Sequence, residues 1–118
     1  MPFNYSMNDH EGLVTLLMSG KLVDKAEAVD IGAEVEERMS QGHNQFIIDL
    51  SKLEYMNSTG LNIILNLMNK CRDKGGEAVV TGATVRIKSL FSVTKLDSVF
   101  TLKDSREEAI QHLQEISQ

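Results

Sequence analysis

The spacing of apolar residues along the chain changes several times, and the first stretch has the spacing of strands. Phe3, Tyr5 and Met7 alternate with polar residues, which is typical of an edge strand over residues 3–8. After a short turn, the run "GLVTLLMSG" predicts a second strand over residues 12–20. The chain is therefore expected to open with an antiparallel hairpin.

Two longer segments have a helical spacing instead. Residues 24–41 are expected to form a helix that Asp24 can cap, with Glu27 at the capping-box position. Its apolar stripe consists of Ala28, Ile31, Gly32, Val35 and Met39. Residues 58–74 are expected to form a second helix. Its core stripe consists of Leu61, Ile64, Leu65, Met68 and Cys71.

The remaining elements are short, and they alternate. We expect strands at 45–50, 77–81 and 99–102, a helix at 84–93, and a last helix capped by Asp104 or Ser105. Alternation after an opening hairpin predicts an α/β fold with a mixed, mostly parallel sheet of about five strands and about four helices mainly on one face. No linker or repeat divides the chain, so residues 1–118 are expected to form a single domain.

Charge and composition narrow the classes of partner. The chain has 17 acidic and 12 basic residues and a net charge of −5, which argues against nucleic acid or an anionic membrane as the main partner. Its apolar runs are far shorter than the roughly 20 residues of a membrane span. A single cysteine and an N-terminus without a signal-peptide pattern lead us to expect a cytoplasmic protein.

Residues with catalytic or metal-binding chemistry are not grouped in the sequence. His10, His43 and His112 have no cysteine or carboxylate at metal-ligand spacing. The segment "GGEAVVTGA" lacks the glycine spacing and the lysine of a phosphate-binding loop. We therefore expect no metal, no cofactor and no enzymatic activity.

One short stretch does call for an explanation. Asn57, Ser58, Thr59 and Gly60 are poor helix formers, yet they directly precede a long apolar helix. Ser58 is expected to be the N-cap, although Asn57 could do the same, and Gly60 would leave the surface bare enough for another molecule to approach the hydroxyls. A phosphate on Ser58 would add about −1.5 to −2 charges close to free helix amides. Ordinary capping and a phosphorylation switch therefore both remain open.

Three segments resemble one known family. The run "FIIDLSKLEYMNSTGLNIIL" resembles the core signature of the STAS domain, as found in bacterial anti-sigma factor antagonists. The run "LMSGKLV" is similar to the family's second strand, and "VRIKSLFSVTKLDSVFTLKDSREEAIQHL" is similar to its closing helix, strand and helix. The resemblance covers the full chain and implies a STAS-like fold.

The resemblance also implies a function in binding. Members of the family bind a serine kinase that is itself an anti-sigma factor, and this binding frees the sigma factor. The kinase then uses ATP to phosphorylate a serine, the complex dissociates, and a phosphatase reverses the modification. The matching serine here is Ser58, and Thr59 is the second hydroxyl.

Two departures from the family pattern affect the expected docking surface. Asn57 stands where the family usually has aspartate, and Lys21 and Val23 replace a common glutamate and aspartate. We expect the docking surface to comprise Lys21, Asp24, Asn57, Ser58, Thr59 and Gly60. The alternative is a constitutive STAS module of a transporter or signalling scaffold, in which these hydroxyls are never phosphorylated.

Overall fold

A five-stranded sheet runs through the molecule. The computed structural model describes residues 2–116. Its strands are β1 (Asn4–His10), β2 (Leu13–Leu22), β3 (Gln45–Met56), β4 (Glu77–Thr81) and β5 (Thr101–Lys103). Its helices are α1 (Ala26–Ser40), α2 (Ser58–Asp73), α3 (Val85–Val93) and α4 (Arg106–Ile116). The strands lie in chain order, with β1 antiparallel to β2 and the others parallel, which confirms the predicted mixed α/β fold.

The helices cover the sheet unequally. Right-handed crossovers between adjacent parallel strands place successive helices on one face, and apolar residues of α1, α2 and α3 pack there in the main core. The final helix lies on the opposite face, where Ala109 and Leu113 pack against Ile47 and Val79. The prediction of helices mainly on one face is thus confirmed.

Strand β3 is the centre of the fold, and its composition follows from that position. Phe46, Ile48 and Leu50 belong to the main core, whereas Ile47 belongs to the core under α4. A strand that is covered on both faces needs a continuous apolar run rather than strict alternation. The unbroken sequence from Phe46 to Ile48 meets that need.

The largest departure from the predicted elements is the length of β3, which ends at Met56 rather than at residue 50. Its pairing with β4 stops at Asp49, but its pairing with β2 continues to the pair Leu22 and Met56. Residues 19–22 and 51–56 therefore form a two-stranded extension, the β2–β3 arm. Its exposed polar positions resemble a loop in sequence: Ser51, Lys52, Glu54 and Tyr55.

The start of α1 also differs from the prediction. The helix begins at Ala26 rather than at Asp24, and β2 runs on to Leu22. Glu27 Oε1 accepts hydrogen bonds from the amides of Val23 (3.2 Å) and Asp24 (3.0 Å), and Asp24 Oδ1 accepts one from Ala26 N (3.0 Å). Two carboxylates therefore bind the amides just before and at the first residue of α1, and only the Glu27 half of the predicted capping box forms.

Strand β5 begins at Thr101, two residues later than predicted (101 against 99). The amides of Val99 and Phe100 both donate to Leu96 O, at 2.9 and 3.1 Å, so these residues belong to the turn after α3. Phe100 still enters the core, where its ring meets that of Phe91 edge to face at 4.8 Å.

Candidate functional site

The site lies where β2 and β3 end side by side. The register pairs Lys21 with Tyr55 and Leu22 with Met56, so the loop after β2 lies next to the start of α2. Asn57 Nδ2 donates across this gap to Val23 O at 3.5 Å. The structure therefore places the segment from Lys21 to Asp24 beside Asn57 and Ser58.

The cap of α2 is Asn57 and not Ser58. Asn57 has an extended backbone (φ −107°, ψ −168°), and its Oδ1 accepts from Gly60 N at 3.0 Å. Ser58 is already the first helical residue, so its side chain is wrongly placed for the cap. The prediction that Ser58 caps the helix is therefore wrong, and the alternative cap, Asn57, is the one that forms.

Ser58 is left exposed by this arrangement. Within residues 2–116 its hydroxyl has no hydrogen-bond partner, and the neighbouring Thr59 is half-buried. The first turn of α2 carries no acidic residue. An exposed hydroxyl near the positive end of a helix dipole is accessible to a partner and compatible with added negative charge.

Gly60 has a packing role rather than the exposed one expected from the sequence. It is buried, and a Cβ built on it would lie 2.3 Å from Leu22 O and 2.9 Å from Met56 Cβ. Only glycine lets the first turn of α2 approach the β2–β3 arm this closely. The prediction that Gly60 leaves a bare surface is wrong, because its α-carbon faces the arm.

A groove of about 340 Å³ runs from Ser58 to α3. Its walls are formed by Tyr55, Met56, Asn57, Ser58, Arg86, Ser89, Leu90 and Val93. The four residues of α3 were not foreseen, because the approach of α3 to the end of β3 is a tertiary contact without a local pattern. The available signals were an arginine in the first turn of a helix and an apolar residue at its exposed end.

Apolar side chains are exposed around Ser58. Val23 is 39% exposed, Tyr55 40% and Val93 79%. Exposed apolar side chains near accessible polar groups are typical of surfaces that bind other proteins. The carboxyl end of the β2–β3 arm, the loop after β2, the start of α2 and the exposed side of α3 therefore form one candidate docking surface.

The described residues also bear on metal binding, thiol reactivity and membrane insertion. In the range 2–116, no group of three or more His, Cys, Asp or Glu residues could hold a metal ion. Burial raises the pKa of the Cys71 thiol to about 12, so it is protonated and shielded in the folded protein. None of the helices described is long and apolar enough to span a bilayer.

Comparison with known proteins gives matches across most of the chain. The model of the STAS domain matches residues 4–109. The chain is 27% identical over 104 residues to BtrV of Bordetella bronchiseptica, an alignment of 88% of this chain with 89% of that protein. It is 25% identical over 118 residues to the anti-sigma F factor antagonist of Paenibacillus polymyxa, covering 99% and 100% of the two chains.

Solved structures agree with the architecture. TM1081 of Thermotoga maritima superposes with a TM-score of 0.82 at 21% identity, over 93% of this chain and 94% of that one. The antagonist SpoIIAA of Bacillus superposes with TM-scores of 0.76 unphosphorylated and 0.70 phosphorylated, both at 19% identity. Those alignments cover 94% and 92% of this chain, and 96% and 98% of the two SpoIIAA chains. Identities this low establish the fold alone, and together with the family match they show that the chain belongs to the STAS domain family.

Proposed function

We propose that this protein is an anti-sigma factor antagonist that is switched by phosphorylation of Ser58. The observation that carries the proposal is the exposed Ser58 hydroxyl, unbonded within residues 2–116, at the start of α2. In the unphosphorylated state the protein binds an anti-sigma factor serine kinase and thereby releases a sigma factor. Lys21, Asp24, Asn57 and Thr59 surround Ser58 on the bound surface.

The names of relatives support this function. The Paenibacillus polymyxa relative is an anti-sigma F factor antagonist, and SpoIIAA has been solved in both phosphorylated and unphosphorylated forms. The aspartate usual in the family is replaced here by Asn57, but the capping bond to Gly60 N is made by the amide oxygen. The replacement removes one charge beside Ser58 while the helix start is preserved.

The chemistry of the switch is carried by the partners. The kinase transfers the γ-phosphoryl group of ATP to Ser58 Oγ, ADP leaves, and the hydroxyl proton passes to a base of the kinase. A serine phosphatase hydrolyses the phosphoester with water and regenerates the hydroxyl. The protein itself is a substrate in the cytoplasm, with no enzymatic activity and no cofactor of its own.

The effect of the phosphate on binding follows from desolvation. The group adds about −1.5 to −2 charges among the exposed side chains of Val23, Tyr55 and Val93. A partner that covers these apolar groups would have to remove water from the dianion, and one neighbouring cation does not repay that desolvation in full. Binding is therefore lost on phosphorylation.

The direct test is mass spectrometry of the protein isolated from its own cells. Cleavage after Lys52 and Lys70 releases the peptide of residues 53–70, which contains both Ser58 and Thr59. We expect one phosphate on Ser58 that disappears on phosphatase treatment. Ser58→Ala should abolish it and Thr59→Ala should retain it, and the Ser58→Ala protein should co-purify with the kinase.

The alternative function is that of a constitutive STAS interaction module in a transporter or scaffold. The replacement of the usual aspartate by Asn57 favours this alternative, because it removes the carboxylate next to Ser58. Absence of phosphate on Ser58 in every growth condition, together with a partner that still binds Ser58→Asp, would establish the alternative. Loss of the partner in Ser58→Asp but not in Ser58→Asn would support the switch.

A further inference from the structure

Arg86 occupies an electrostatically unfavourable position. It lies in the first turn of α3, where the helix dipole disfavours positive charge, and that turn contains no acidic residue. In the described part of the chain Arg86 has no ion pair and no side-chain hydrogen bond, and it is exposed. A local rule broken without structural compensation is typical of a functional residue.

The surroundings of Arg86 indicate what it is placed to bind. Arg86 and Ser58 lie in the walls of the same groove. Of the eight residues lining that groove, Arg86 is the only one with a formal charge. The other helix start at this groove, that of α2, also lacks an acidic residue in its first turn. The groove therefore combines a phosphorylatable hydroxyl with an unpaired guanidinium and no competing carboxylate.

We propose that Arg86 forms an intramolecular ion pair with the phosphate when Ser58 is phosphorylated. The inference rests on the proposed function, since it concerns the phosphorylated state. A guanidinium can donate two parallel hydrogen bonds to a phosphate, which a lysine cannot reproduce. The pair joins α3 to the start of α2 across the groove and withdraws Arg86 from any partner, so one modification changes the docking surface at two places.

The test is a ³¹P NMR titration of the protein carrying phosphoserine at position 58, introduced during translation by an expanded genetic code. The second pKa of phosphoserine is about 6, and a nearby cation lowers it. We expect Arg86→Gln to raise this pKa by about half a unit, and Arg86→Lys to raise it by less.

Two matched variants serve as controls. Lys88→Gln removes the same charge from the same helix, but Lys88 is paired with Asp104 at 3.0 Å and does not line the groove. Lys88→Gln is expected to leave the phosphoserine pKa near that of the parent protein. Lys21→Gln removes the cation of the expected docking surface on the neighbouring strand, and it is expected to raise the pKa by less than Arg86→Gln does.

The outcomes separate the pair from the switch. Equal pKa values in the parent and Arg86→Gln proteins, or a larger shift in Lys21→Gln, would overturn the assignment of Arg86. Because the phosphoserine is introduced without a kinase, a protein that is never phosphorylated in cells would refute the proposed function and leave the titration result intact.

Discussion

Helices α1 and α2 begin side by side, but different kinds of side chain accept hydrogen bonds from the amides at their starts. At α1, Glu27 and Asp24 accept three hydrogen bonds from the amides of Val23, Asp24 and Ala26. At α2, the neutral Asn57 accepts one bond from Gly60 N, and no carboxylate lies in the first turn. At the same edge of the sheet, the start of α1 therefore carries two negatively charged side chains, whereas the first turn of α2 carries none.

The difference indicates how a stable fold can keep room for a modification. A phosphate placed at α1 would meet two carboxylates and amides that are already bonded. A phosphate on Ser58 would meet a dipole end whose own first turn carries no acidic side chain. The charge that the helix start lacks in the resting state is the charge that phosphorylation would add.

The largest effect is expected from adding one methyl group to each helix at a glycine. Gly60→Ala in α2 should destabilise the protein by about 2–3 kcal/mol, because the new Cβ meets backbone of the arm. Gly32→Ala in α1 is the control. Its Cβ would lie 3.7 Å from Lys70 Nζ at the nearest, and it should stabilise by about 0.5–1 kcal/mol. Urea denaturation measures both, and equal free energies of unfolding would refute the packing role of Gly60.

The next largest effect on stability is expected at the cap of α2, where Asn57 and its neighbour Ser58 can be compared. Asn57→Ala should cost about 1 kcal/mol, since Gly60 N loses its acceptor. Ser58→Ala should change the free energy of unfolding by less than about 0.5 kcal/mol. Thermal and urea unfolding of the two variants provide the comparison. A greater loss in Ser58→Ala would show that Ser58 is the cap after all.

A smaller change in stability is expected when a carboxylate is introduced at the first residue of α1 or of α2. Ser58→Asp should stabilise α2 by about 0.3–1 kcal/mol at low ionic strength. Ala26→Asp places the same group at the first position of α1, beside Asp24 and Glu27, and should give no gain. Unfolding at low and high salt tests the pair, because salt should remove the gain in Ser58→Asp. Equal responses would mean that the two starts do not differ electrostatically.

The smallest effect concerns the ion pair that joins the two helices. Glu36 Oε1 lies 2.7 Å from Lys70 Nζ, and this hydrogen bond and the lysine charge lower the pKa of the Glu36 carboxyl. A depressed pKa gives stability that is present above the unfolded pKa and lost as pH falls through the folded one. Glu36→Gln should therefore lower the urea midpoint slightly at pH 7, and the difference should shrink toward pH 3 as the carboxyl becomes protonated.

Glu37→Gln is the matched control for that measurement, because Glu37 is exposed and has no ion pair within residues 2–116. Its urea midpoint should follow that of the parent protein at both pH values. A loss as large as that of Glu36→Gln would show general electrostatics rather than the pair with Lys70.

The order and type of all nine elements could be predicted from apolar spacing, but the course of β3 could not. Past Asp49 that strand pairs with β2 alone, and its outward positions are polar. A one-sided pairing of this kind gives Ser51, Lys52 and Glu54 the composition of a loop. The buried Leu53 and Met56 were the signal that the strand continues.

The sequence predicted that Ser58 lies at the start of α2, but it did not predict that Ser58 is the first helical residue rather than the cap. Both Asn57 and Ser58 are favourable caps, and only the backbone conformation at Asn57 decides between them. The contribution of α3 was missed for another reason. Arg86 and Val93 line the groove because α3 packs near the end of β3. No periodicity within α3 indicates which of its residues face that groove.

Strand β2 is long enough to keep the hairpin turn at one end of the molecule far from the candidate docking surface at the other. Its ten residues span about 30 Å, from the candidate docking surface at Leu22 to the hairpin turn at Glu11 and Gly12. Both turn residues are exposed, and a Cβ at Gly12 would have no neighbour within 4 Å, although its φ of +82° favours glycine. A fluorescent label on a cysteine introduced by Glu11→Cys would therefore report the tumbling of the whole protein, free or in a complex, without touching the candidate docking surface.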